Sequence, residues 1–153
     1  MPHKEELAKI VGIENTLDEP DVLLGYAKDH SFVQETMPQY VVRPKNAAEI
    51  QKLVQWANEK GIPLTPVASG EPHFRGDTIP LFGGVVVDVS RMNKIISIDR
   101  RNRVAMIEPG VTYAQLQPEL RRQGLRLNMP LCPRSSKSVV GSCLEREPII
   151  MPK

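Results

Sequence analysis

The 153-residue sequence has only two cysteines, Cys132 and Cys143, with no CxxC pair between them. That excludes a small fold stapled by disulfides and a cysteine-built metal site, and it predicts two free thiols in a reducing compartment. Its three histidines, His3, His30 and His73, are far apart and show no metal-ligand spacing. There is no excess of either charge: 20 basic residues against 18 acidic ones leave a net charge of +2. This gives no electrostatic case for nucleic acid or an anionic membrane as partner. Arg100, Arg101 and Arg103, beside Asp99, read as a solvated turn. No apolar run approaches the roughly 20 residues that a membrane span needs. The opening "MPHKEELAKI" is charged and lacks an apolar core, so no secretory leader is expected and the predicted location is the cytoplasm. Repeats, low-complexity segments, the phosphate-loop spacing GxxxxGKS/T and the dinucleotide fingerprint GxGxxG are all missing. So are a Ser/His/Asp or Cys/His set and an obvious carboxylate pair, and no catalytic or metal-binding residue is assigned.

What is present is a loop-rich α/β pattern, with 14 prolines that fall mostly between apolar segments. Residues 4–11 can form a short helix. "DEPDVLLGYAKDHS" reads as a second, with Pro20 in its first turn and Leu23, Leu24 and Ala27 along one side. "YVVRP" is a short strand stopped by Pro44. "NAAEIQKLVQWANEKG" is the clearest element: Asn46 caps it, Glu49 stands three residues later, and Gly61 ends it. Ile50, Leu53, Val54 and Ala57 form its apolar stripe, with Trp56 off that stripe as a partly buried packing residue. "IPLTPV" and "GGVVVDVS" are further strands, the second apolar on consecutive positions and so covered on both faces.

Beyond residue 90 the pattern changes. "KIISID" and "RVAMIEP" flank a polar turn, as in an antiparallel hairpin. "GVTYAQLQPELRRQG" is a helix that Thr112 can cap and Gly124 can end, and Pro118 predicts a kink or an irregular first turn. "LRLNMP" is a candidate last strand, and from Pro130 on the chain reads as loop, with "SVVGSCL" its one apolar piece. The predicted fold class is α+β: a small parallel β-α-β unit, then a mixed antiparallel unit with flanking helices.

Between two apolar strands lies "PVASGEPHFRGDTIP", residues 66 to 80. Ligands of α/β sheets gather at the carboxyl ends of strands. Gly70 and Gly76 permit positive φ and close approach of a ligand, and successive backbone N–H groups can cradle an anion. Ser69, His73, Arg75 and Thr78 add polar groups. A phosphate or pyrophosphate suits such a loop, although two glycines six residues apart also occur in plain connections.

Taken together, "VVRPKNAAEI", the glycine loop, "GGVVVDVSRMNKI" and "IEPGVT" resemble the FAD-binding domain of the vanillyl-alcohol oxidase and p-cresol methylhydroxylase family, which includes D-lactate and glycolate dehydrogenases. The resemblance runs from about Pro38 to Gly141. It implies a domain at residues 38–153 preceded by a helical segment at 1–37. It implies FAD as cofactor, with the glycine loop (Ser69, Gly70, Glu71, Pro72, His73, Arg75 and Gly76) around its pyrophosphate; some relatives attach FAD through a histidine of this loop, and the spacing of His73, shifted by one, predicts a flavin held without a covalent bond. It places Pro109 and Gly110 close to the cofactor, and Ser138, Val140 and Gly141 beside the flavin ring.

Glu71 departs from the family's run of glycines: a carboxylate facing two phosphates is repulsive, so it turns to solvent or weakens binding. The family's chains continue past the position of Lys153 into a substrate domain. The sequence is therefore expected to supply the FAD-binding portion of an oxidoreductase acting on hydroxy acids or alcohols, inactive alone. The alternative is a shortened domain that has lost FAD and serves as an interaction piece. Either way, self-association or a complementary subunit is expected.

Overall fold

The computed structural model describes residues 2–69, 76, 78–127 and 134–144. Among them the chain forms two compact units, Met1–Arg91 and Met92–Lys153.

The first unit is built on four strands: β1 (Thr16–Leu17), β2 (Tyr40–Val42), β3 (Leu64–Val67) and β4 (Val85–Asp88). Their order is β1-β2-β4-β3, with β4 parallel to both of its neighbours and β1 antiparallel to β2. The register sets Val41 opposite Val86 and Thr65 opposite Val86. Val41, Val42, Val85 and Val86 have no accessible surface. Successive strand residues face opposite ways, so both faces of the sheet are covered, as the consecutive valines require. On one face Val41, Val67 and Val86 pack with Leu23 of α2 (Pro20–Ala27) and against Leu17 and Tyr26. Helix α1 (Pro2–Val11) packs against α3 (Ala47–Lys60) and β2.

Helix α3 follows from its sequence at both ends. Asn46 Oδ1 accepts the Glu49 N–H at 2.9 Å, and Glu49 Oε2 in turn accepts the Lys45 N–H at 2.9 Å. Gly61 closes the helix in the left-handed conformation, φ 65°. The buried stripe differs from the expected one. Leu53, Trp56 and Ala57 are buried while Val54 is exposed. Trp56 wins the inner position because its indole N–H donates to Glu6 Oε2 of α1 at 2.7 Å, so its one polar atom is satisfied. Similarly, Leu23 and Ala27 of α2 are buried and Leu24 is not, and the helix stops at Ala27.

The second unit carries the hairpin of β5 (Ile95–Asp99) and β6 (Val104–Ile107), antiparallel, with a register irregularity between Ile95 and Ser97. Helix α4 (Tyr113–Arg122) lies on it through Tyr113, Leu116 and Leu120, which cluster with Val111 and Val139 against Ile95, Ile98, Ala105 and Ile107. Thr112 and Gln115 form a reciprocal capping box at its start. Pro118 sits inside α4, which stays α-helical from end to end instead of breaking into an irregular turn. The lost donor concerns one bond only, and the buried face of Leu116 and Leu120 holds the helix through it. The segment read as loop contains a short helix, α5 (Val139–Leu144). Of the candidate last strand, Leu125–Leu127 is irregular and the rest lies outside the described residues.

Candidate functional site

In the first unit, β3 and β4 run in parallel, and the loop predicted to hold a ligand leaves the carboxyl end of β3. Val67 and Ser69 are buried at its start. Gly70, Glu71, Pro72, His73 and Arg75 lie outside the described residues. The far end of the loop is fixed. Gly76 has φ +72°, and its N–H donates to Asp29 Oδ2 at 2.6 Å. A Cβ there would fall 2.2 Å from Val33 Cγ2. Thr78, Ile79 and Pro80 then run buried toward β4. The glycine at this position is thus required twice, by its dihedral and by the side chain that fills the space beside it.

At the carboxyl end of β4, Asp88 is 6% exposed. It accepts the Tyr26 hydroxyl at 2.7 Å and the Ser90 N–H at 2.9 Å, and Arg43 Nε lies 3.3 Å from it. Burial, followed by the Asp88 charge, pushes the Tyr26 phenol up to about 12. The Arg43 guanidinium is likewise raised, first by its hydrogen bond with Tyr26 and further by Asp88. The Asp88 carboxylate and the Tyr26 phenol are hydrogen-bonded and Arg43 pairs with them by charge, so the cluster fastens α2 to the strand ends. Neither Asp29 nor Asp88 was singled out in the sequence. The spacing of Asp29 and Ser31, suited to a side-chain-capped turn, was the one available signal.

In the second unit the two predicted segments meet. Ser138, fully buried, donates from Oγ to the Pro109 carbonyl at 2.6 Å and accepts the Gly141 N–H at 2.9 Å. Val139 N–H donates to the Val111 carbonyl at 3.0 Å, and Thr112 and Ser138 form an antiparallel bridge. Ser138 is therefore the cap of α5 as well as a tie to the turn before α4. Gly110 is buried, and its N–H donates to the Met92 carbonyl at 2.8 Å. The Glu108 carboxylate accepts the Lys94 N–H at 2.8 Å, which makes it a brace for the turn. Val140 is half-buried. Ser142 Oγ, one residue past Gly141, is buried with no hydrogen-bond partner.

The loop ends on a glycine that cannot carry a side chain, and a buried hydroxyl beside the second segment is unspent. A cavity of about 390 Å³ in the second unit, lined by Arg103, Val104, Leu120, Leu125, Arg126 and others, includes none of the predicted residues. Among the described residues no group of three His, Cys, Asp or Glu side chains could hold a metal ion. None of the helices in that set is long and apolar enough to cross a membrane.

The family profile described as "FAD binding domain" matches residues 38–146. The chain is 33% identical over 122 residues to the glycolate oxidase subunit GlcD of Bacillus subtilis, covering 80% of this chain and 26% of that protein. It is 29% identical over 146 residues to the 4-cresol dehydrogenase [hydroxylating] flavoprotein subunit of Pseudomonas putida, covering 93% of this chain and 28% of that one. Among solved structures, p-cresol methylhydroxylase with substrate bound superposes with a TM-score of 0.83 at 28% identity, over 95% of this chain and 29% of the other. The chain thus spans between a quarter and a third of the length of these proteins.

Proposed function

The chain belongs to the FAD binding domain family, and from that premise we propose that it forms the cofactor-holding portion of a flavin-linked oxidoreductase acting on hydroxy acids or phenols. The observation that carries this reading is the family match over residues 38–146, a span that takes in β2, α3, β3, the glycine loop, β4 and the Pro109–Ser138 tie. Bound FAD supplies the redox chemistry, accepting a hydride from the substrate carbon. The chain's own residues bind and orient it. Ser69, Gly70 and the loop up to Gly76 hold the pyrophosphate with backbone donors. Pro109, Gly110 and the Ser138–Gly141 segment lie along the flavin. The flavin is held without a covalent bond. Residues 38–153 make up the domain, and residues 1–37 a helical lead-in to it.

Ile96, Val104 and Met106 of the hairpin are each more than half exposed. Such apolar surface favours cover by further polypeptide, and we place self-association of this chain, in the cytoplasm, first. Light scattering of the purified chain tests it: a single species at 17.1 kDa overturns it.

The cofactor reading is tested by titrating the purified chain with FAD and following the visible spectrum. A saturable shift, lost in Gly76→Val and strengthened in Glu71→Gly, supports it. Absence of any shift at high micromolar FAD overturns it. Turnover of 2-hydroxy acids or 4-alkylphenols with a dye acceptor tests the activity of the whole enzyme.

A further inference from the structure

Asp29 follows the end of α2 at Ala27, in a stretch for which neither the family match nor the sequence pattern assigns a role. Its two carboxylate oxygens are both committed to backbone donors. Oδ1 accepts the Ser31 N–H at 2.8 Å, and Oδ2 accepts the Gly76 N–H at 2.6 Å across 47 residues of chain. The Ser31 hydroxyl accepts the Val33 N–H at 3.1 Å. Residues 29–33 are therefore a turn braced by its own side chains. Its outer members, Val33 and Ser31, occupy the space that a Cβ on Gly76 would need, at 2.2 and 3.1 Å. One turn thus grips Gly76 by a charge-assisted hydrogen bond and by contact, and holds it at φ +72°.

We propose that Asp29 is a positioning residue for the cofactor loop, anchoring its downstream end at Gly76 before FAD arrives. The proposal rests on the cofactor reading above. The physical argument is preorganisation. A loop that wraps two phosphates with backbone donors loses conformational entropy when it binds, and fixing one end in advance removes part of that cost. The upstream end is fixed by β3 and the buried Ser69. Without Asp29 the Gly76 N–H loses its carboxylate acceptor, and the left-handed conformation loses that tie. The role also divides the labour within the loop. The N–H of Gly76 is spent on Asp29, so Gly76 serves through its conformation rather than as a phosphate donor. An asparagine keeps one acceptor oxygen but presents an amide N–H₂ to one of the two backbone donors, so it restores the grip only in part.

The test compares the full chain with Asp29→Ala and Asp29→Asn, at a temperature where the fluorescence of Trp56 shows all three folded. Trypsin cleavage of the Arg75–Gly76 bond, in the absence of FAD, reads the anchor directly. The dissociation constant for FAD reads its consequence. Asp29→Ala is expected to speed cleavage at Arg75 relative to other sites and to weaken FAD by about tenfold, the scale of one charged hydrogen bond. Asp29→Asn should fall between. Unchanged cleavage at Arg75 in Asp29→Ala overturns the anchor, and faster cleavage with unchanged FAD affinity overturns its link to the cofactor. Failure of the unaltered chain to bind FAD overturns the cofactor reading and the role toward FAD with it. Faster cleavage would still then support the anchor as a property of the loop.

Discussion

The Ser138 hydroxyl and the Pro109 carbonyl, 29 residues apart, are joined at 2.6 Å. That bond links the turn before α4 to the start of α5, and the same oxygen caps α5 through the Gly141 N–H. One buried atom therefore sets the spacing of two segments that the family resemblance implies lie near the cofactor.

Ser138→Ala removes both bonds and leaves the Gly141 N–H without its cap. The expected loss is about 1–3 kcal/mol of stability, the sum of a cap and a buried hydrogen bond. Urea unfolding measures it. FAD affinity should fall as well, because α5 loses its tie to Pro109. A Ser138→Ala protein as stable as the parent, with full FAD affinity, would show that the tie is incidental.

Two glycines with similar dihedrals should respond very differently to alanine. Gly84 has φ +78°, and a Cβ there would lie 2.3 Å from the Pro63 carbonyl oxygen, a backbone atom that cannot swing away. Gly61 has φ +65° with nothing within 4 Å. Gly61→Ala should cost only the left-handed strain, about 1–2 kcal/mol. Gly84→Ala should cost clearly more, since the strands β3 and β4 must separate to admit it. Midpoints of urea unfolding for the two variants, compared side by side, decide the point.

Glu6 holds its carboxyl low, at about 2, first through the Trp56 indole N–H and then through the Lys60 ammonium. The folded chain releases this proton more readily than the unfolded one. The stabilisation is complete above about pH 4.5 and disappears as pH falls toward 2, because there the unfolded chain takes up a proton that the folded chain refuses. Glu6→Ala should therefore be less stable than the parent at pH 6, and the gap should close near pH 2. Trp56 fluorescence during thermal unfolding at both pH values measures it.

Tyr26 acts at the opposite end of the scale. Its phenol is pushed up to about 12 by burial and the Asp88 charge. The folded chain holds on to this proton when the unfolded chain has already lost it near pH 10, so stability is lost as pH rises from 10 to 12. Tyr26→Phe removes the group and should flatten the fall in stability over that window. Alkaline unfolding followed by circular dichroism tests the difference.

How much of this was legible in the sequence depends on the distance over which each feature is determined. Helix α3 was read almost to the residue, since Asn46, Glu49 and Gly61 act on their own neighbours. Its stripe was misread at Val54 because the inward turn of Trp56 depends on Glu6, 50 residues away. The parallel pairing of β2, β4 and β3 and the β5–β6 hairpin followed from apolar runs and turn residues. Strand β1 did not: it is two residues long and exists through its pairing with β2. Pro118 was read by its local cost, which the buried side of α4 outweighs. At the candidate site the sequence marked Gly76 and Ser138. Pro109 is marked as well, but its contact with Ser138, and the grip of Asp29 on Gly76, are set by the fold.

The register of β4 also orders the events by which the first unit assembles. Val86 must meet both Val41 and Thr65, so β4 is a central strand whose two neighbours are separated from each other by the whole of α3. Helix α3, capped at both ends by its own residues, can form on the microsecond scale of an isolated helix. The pairings of β4 wait for closure of a long loop on each side, one of them the glycine loop. The segment proposed to receive the cofactor is thus also a tether that must close before β3 and β4 pair, and lengthening it should slow the first unit's refolding more than lengthening the hairpin turn at Asn102.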